Sequence, residues 1–99
     1  MITSIMSLTG DGKPSSSKVS DEVAFLSDTL SILRDADEIS NDAFLEAGMI
    51  QGGLSILSSM ITNGSSDDEI TAQISSMSGK AEALNDRFPD LNAKIEKHR

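Results

Sequence analysis

Residues 70–95, ITAQISSMSGKAEALNDRFPDLNAKI, decide the fold of this chain. Their apolar side chains recur in alternating steps of four and three, at Ile70, Ile74, Met77, Ala81, Leu84, Phe88, Leu91 and Ile95. This spacing places them along one side of a helix, as a stripe that must pack against another helix. Pro89 lacks a backbone donor and disfavours helical geometry at Phe88, so we expect a helix over about 66–97 with a kink or break near Pro89.

Two further long helices are predicted upstream of this stripe. The second of them, over about 42–62, is apolar around most of its circumference, which is typical of the most buried helix of a protein. Short loops between helices of about 20 residues make them antiparallel neighbours. The first helix, over about 18–38, carries the same seven-residue repeat, at Val19, Val23, Leu26, Leu30 and Leu33. The sequence therefore predicts an all-α fold of three antiparallel helices.

Local signals place the helix ends and one helix contact. Ser66 and Glu69 have the spacing of a capping box at the start of the third helix. Gly64, after Asn63, suits the left-handed position that follows a helix. Gly48 and Gly52 lie four residues apart within the second helix, where glycine is unfavourable. Gly53 and Ala47 lie beside them, and we expect a neighbouring helix to approach closely at this group of small residues.

Residues 1–17 are predicted to form a flexible tail, and residues 18–99 a helical bundle domain. The segment 10–17, GDGKPSSS, has the composition of a linker. Residues 1–9 are more apolar than a solvated tail requires, which leaves open that they order on a partner. They lack the basic and long apolar regions of a Sec signal. We expect a cytoplasmic location, with non-Sec export as the alternative.

Charge excludes some classes of partner. The formal net charge is -8, and residues 19–70 contain eleven acids but a single base, Arg34. An acidic surface repels phosphate, which argues against nucleic-acid binding.

The stretch 43–62 has one charged residue, Glu46, but also Gln51, glycines and serines. It is therefore interpreted as a core helix rather than a membrane span.

The candidate site is an interaction surface along the third helix. Lys80, Arg87 and Lys94 each precede a residue of the apolar stripe, a position that selects partners in coiled coils. Two interpretations remain open: the cations pair with acids of the first helix in the same molecule or face solvent, or they border a surface for an acidic partner helix. The candidate partner-binding residues are Met77, Lys80, Leu84, Arg87, Phe88, Leu91 and Lys94.

Little in the sequence indicates chemistry. The single histidine, His98, is next to the last residue, and there is no cysteine. Residues 35–46 carry acids at the first, third and twelfth places of an EF-hand loop, but Ile39 and Ser40 replace the fifth ligand and the sixth glycine. We therefore expect no enzyme activity, no cofactor and no metal site.

These observations predict a small acidic helical protein–protein interaction module that acts through helix packing, as an adaptor, small chaperone or assembly subunit. Its partner would be another protein or a second copy of itself. One alternative is an acidic inhibitor that imitates nucleic acid with the row Asp21, Asp28 and Asp35 and the cluster 67–69. The other alternative is an exported or membrane-active helical protein.

Overall fold

The structure, a computed structural model, describes residues 1–9 and 14–99, which form five helices and no strand. The helices are α1 (Ile2–Thr9), α2 (Ser16–Asp35), α3 (Asn41–Thr62), α4 (Asp67–Arg87) and α5 (Leu91–Glu96). The predicted all-α fold is confirmed. The prediction of three helices alone is not confirmed, because the short helices α1 and α5 accompany the three long ones.

Serine side chains start each of the long helices. Ser15, Ser40 and Ser66 accept hydrogen bonds from backbone N–H groups three residues later, which satisfies donors that a helix start leaves free. The capping box is confirmed, since the Ser66 hydroxyl also donates to Glu69 Oε1 at 3.0 Å. Gly64 has a φ of 77°, the left-handed conformation expected there. The caps explain why α2 and α3 begin one or two residues earlier than predicted.

Pro89 divides the last predicted helix in two. Phe88, which precedes the proline, has the extended φ of -131° and ends α4. The Leu91 N–H then bonds to the Phe88 carbonyl, and α5 begins at Leu91. The apolar stripe stays buried on both sides of the break, and Leu91 and Ile95 are as buried as the stripe residues of α4.

The three long helices form a layer with α3 in the middle. α3 packs extensively against α2 on one side and α4 on the other, whereas α1 bridges α2 and α4 and α5 packs against α2. One side of the layer is therefore covered by the short helices, and the core lies there. The core side of α3 consists of a single stripe of buried residues, Ala43, Ala47, Ile50, Leu54 and Leu57.

The N-terminal segment differs from the predicted flexible tail. Residues 2–9 are helical, and Met1, Ile5 and Leu8 are buried in the core. The reason is visible in the spacing, since Met1, Ile5 and Leu8 share one face of a helix. Thr3 accepts a hydrogen bond from Asn92 Nδ2 at 3.0 Å, which ties α1 to α5. Residues 10–13, part of the predicted linker, lie outside the described residues.

The end of the chain is held by an ion pair between α2 and the C-terminus. Arg99 donates to both carboxylate oxygens of Glu22, at 2.9 and 2.6 Å, and its guanidinium lies 4.3 Å from the centre of the Phe25 ring. Burial would raise the pKa of Glu22, but the hydrogen bonds from Arg99 and Ser4 outweigh it and lower the pKa below its usual value.

We expect Glu22→Gln to reduce the free energy of unfolding at pH 7 by about 1 to 2 kcal/mol, because Arg99 is partly solvated and the pair is screened. A lowered pKa in the folded state contributes stability above the usual value of 4.5, and this contribution is lost as the pH falls below it. Urea unfolding at pH 7 and pH 3 therefore gives a smaller difference for Glu22→Gln than for the wild type. An equal difference for both proteins would contradict this assignment, and Asp21→Asn, an exposed neighbour, is the control.

Candidate interaction surface

Most of the predicted apolar contact residues lie in the core of the same molecule. Met77, Leu84 and Leu91 are 2%, 5% and 4% exposed. Met77 lies beside Gly53 of α3, and Leu84 and Leu91 line a small cavity together with Met1. A partner cannot reach them in this conformation. In this conformation the stripe packs within the same chain, where α4 contacts α3 and α1, and α5 contacts α2 and α1. The assignment of these residues to partner binding stays a prediction.

The bordering cations are placed by contacts within the molecule. Arg87 forms an ion pair with Glu46 of α3. Lys94 Nζ donates to the backbone carbonyl of Glu38 at 2.6 Å, beside the loop between α2 and α3. Lys80 is exposed. The intramolecular interpretation describes Arg87, although its acid is on α3 rather than on α2. Lys94 contacts a backbone carbonyl instead of an acid.

Phe88 is half-buried at the end of α4 and lines an open pocket of about 240 Å³. The pocket lies between the α2–α3 loop and the break at Pro89, and charged groups of both signs surround its apolar floor. Its lining includes Glu38, Ile39, Phe88, Pro89, Asp90 and Lys94. No cluster of metal-ligating side chains exists among the described residues.

The largest exposed apolar surface is on α3, where the sequence predicted burial. Leu45, Met49 and Ile56 are 57%, 67% and 57% exposed. Together with Gly52 they follow one line along the helix, in steps of four, three and four, on the side opposite the core stripe. We name these four residues the outer α3 face. The prediction that α3 is the most buried helix was wrong for this half of its circumference.

The packing at the glycines of α3 also differs from the prediction. A Cβ added at Gly48 or Gly52 would meet nothing within 4 Å, so no other helix among the described residues approaches them. The close approach occurs instead at Gly53, where a Cβ would lie 3.1 Å from Met77 and where Gln73 donates to the backbone carbonyl at 3.1 Å. The expected close approach therefore occurs at Gly53, and the expectation was wrong for Gly48 and Gly52.

Two grooves flank the outer α3 face. On the α4 side, Met49, Lys80, Ala83 and Arg87 line an open groove of about 220 Å³. On the α2 side, Ser20, Val23, Ser55 and Ser58 line a shallower one of about 170 Å³. The surface therefore has an apolar ridge with a depression on either side, a shape into which the side chains of another helix can interdigitate.

Most of the outer α3 face has no charged side chain nearby on α3. The acids of α3, Asp42 and Glu46, lie in its first two turns, and residues 47–66 contain no charged side chain. By length and composition α3 could cross a membrane, with a mean hydropathy of 1.3 over its most apolar 18 residues. The same composition is expected of a helix that packs against protein on two opposite sides.

The stripe that contains the outer α3 face could have been found in the sequence. Asp42, Leu45, Met49, Gly52, Ile56 and Ser59 follow a seven-residue repeat, parallel to the repeat of the buried stripe. Sequence reasoning missed it because both stripes were interpreted as one buried circumference.

Comparisons with protein-family models, with curated proteins and with solved structures found no match to this chain.

Proposed function

We propose that this protein is a protein–protein interaction module without enzymatic activity, and that it docks through the outer α3 face. A role as adaptor, small chaperone or assembly subunit follows from such a surface. The observation that carries the proposal is the exposure of Leu45, Met49 and Ile56 in one line on a strongly acidic protein. Large apolar side chains that lie contiguously at a surface mark sites of association in soluble proteins.

The physical argument concerns the free-energy cost of exposing the outer α3 face to water. Burial of a large apolar side chain is worth about 1.5 to 3 kcal/mol, and these three side chains are more than half exposed. The methionine adds adaptability, since its flexible thioether can fit more than one partner surface. The partner is expected to be a helix, because the line is straight, about 33 Å long over the 22 residues of α3, and flanked by grooves.

Site-specific photo-crosslinking tests this proposal. A photoreactive amino acid at Met49, introduced in the cells that make the protein, should give a discrete crosslinked species with a protein. The matched control is the same probe at Asp28, an exposed position of α2. We expect no discrete species from Asp28. Equal crosslinking from both positions, or none from Met49, contradicts docking through the outer α3 face.

The exposed acid row gives a specific reason to keep the inhibitor that imitates nucleic acid as a second candidate. Asp21, Asp28 and Asp35 are all exposed along α2, seven residues apart. In that function, the Asp28 probe would capture a basic protein, and the amount captured would fall steeply as salt is raised.

The apolar composition of α3 is the observation that supports the membrane-active alternative. That function predicts that the protein sediments with vesicles at neutral pH and that Met49→Asp abolishes the sedimentation. Protein that stays in the supernatant with neutral and anionic vesicles would contradict it.

A further inference from the structure

We propose that the site occupied by α1 is a binding site for a short apolar helix of another protein, which displaces α1 from it. The site lies on the inner side of the helical layer, where α1 contacts α4, α2 and α5. The outer α3 face is on the opposite side of the layer. This second surface therefore goes beyond the proposed function and does not depend on it.

Two features of the sequence meet at this contact. The sequence leaves open that residues 1–9 order on a partner, and it predicts that Leu84, Phe88 and Leu91 bind one. In the structure, Met1 lines a small cavity together with these three residues. α1 is therefore a helical ligand of the stripe on α4 and α5, supplied by the same chain, and its chemistry describes the helix that can replace it.

Three apolar residues of α1 define the contact that a partner helix has to reproduce. Met1, Ile5 and Leu8 are buried, and their steps of four and three place them on one face of the helix. Met6, on the other side of α1, is 66% exposed. Residues 2–9 include no charged side chain. The site therefore accepts an uncharged helix with apolar residues in this spacing.

Polar contacts along one edge of α1 add specificity to the site. Asn92 Nδ2 donates to the Thr3 hydroxyl at 3.0 Å. Ser4 is fully buried, and its hydroxyl accepts from Arg99 Nη2 at 3.4 Å and donates to the Glu22 carboxylate. A partly buried ionic group that loses such a contact is destabilised. The partner helix is therefore expected to carry a hydroxyl side chain at the position of Ser4.

The length of α1 makes its exchange for another helix feasible. A helix of eight residues is shorter than the isolated helices that are stable in water, so α1 is ordered only while it is docked. Three buried apolar side chains then have to offset the ordering of the whole segment. A helix that is already part of a folded partner loses less conformational entropy when it binds. Such a helix can therefore compete with α1, although α1 has the advantage of being attached.

A fluorescent peptide of residues 1–9 serves as the probe, and anisotropy measures its binding to the full-length chain. Ile5→Asp in the protein should undock its own α1 and open the site. This variant should bind the peptide about 100-fold more tightly than the wild type, in which the attached α1 competes at high effective concentration. Met6→Asp is the matched control, because Met6 is exposed and its substitution should leave the binding of the wild type unchanged.

Variants of the peptide test the chemistry of the site. The Ile5→Asp peptide should not bind to the opened protein, and the Met6→Asp peptide should bind like the original one. The Ser4→Ala peptide should bind ~10-fold more weakly, because Glu22 and Arg99 lose a polar contact. Equal binding of all these peptides would indicate unspecific apolar attachment and contradict the inference.

Hydrogen exchange of the wild type measures the opening of the site without any variant. The amides of residues 5–9 should exchange at least ~10-fold faster than the amides of the α3 core stripe, because they become accessible whenever α1 undocks. Equal protection of both sets of amides would show that α1 opens only when the whole protein unfolds, and this result contradicts displacement by a partner.

Three further results would overturn the inference. An Ile5→Asp protein that loses its helical circular dichroism transition shows that α1 is an inseparable part of the core. A folded Ile5→Asp protein that binds the peptide no better than the wild type shows that the opened site accepts no helix. A wild-type dimer that Ile5→Asp dissociates assigns the site to α1 of a second copy. None of these results affects crosslinking from the Met49 probe, which tests the proposed function separately.

Discussion

Leu84→Asp is expected to abolish the folded state. Leu84 lies in the α4 core stripe, 5% exposed, where it lines cavities together with Met1 and with Ile50 of α3. The substitution removes an apolar side chain and buries an unpaired carboxylate, which costs about 3 to 5 kcal/mol or more. A domain of this size has a total stability of about 5 to 15 kcal/mol, often at the lower end. The helical circular dichroism signal and its thermal transition measure the loss.

The neighbouring position is the control for this change. Ala83 is exposed on the same helix, so Ala83→Asp should retain the helical signal and a cooperative transition. The comparison also separates two roles for the α4 stripe. A folded Leu84→Asp protein that has lost a partner would assign the stripe to an interface, and would contradict the packing described here.

Leu57→Ala is expected to lower the free energy of unfolding by about 3 kcal/mol, and Ile56→Ala by no more than about 0.5 kcal/mol. The two residues are adjacent on α3 and nearly equal in size. Leu57 is fully buried in the core stripe, whereas Ile56 belongs to the outer α3 face and is more than half exposed. Deletion of Leu57 methyl groups leaves a cavity, but deletion of those of Ile56 leaves only solvent.

Urea unfolding measures both changes. Equal losses for Leu57→Ala and Ile56→Ala would show that the outer α3 face is covered within one chain.

The helices themselves could be predicted from the sequence because their signals are local. Ser66 and Glu69 mark the start of α4, Gly64 the end of α3, and Pro89 the break before α5, and each acts within a few residues of chain. The apolar repeat of residues 70–95 also predicted correctly that this side of the helix is covered. A seven-residue repeat fixes which residues share a side of a helix, whatever lies against them.

The tertiary structure alone decided what covers each apolar stripe. The stripe of Met77 and Leu84 is covered within the chain, because α1 folds back onto α4 instead of remaining a tail. α3 carries two apolar stripes of the same period, and periodicity cannot rank them. The layer has short helices on one side only, so Leu54 is in the core and Met49 is in solvent. The number of neighbours around a helix is a property of the whole fold. For this reason the sequence determined the two apolar stripes of α3, whereas the packing of the other helices determined which stripe remained exposed.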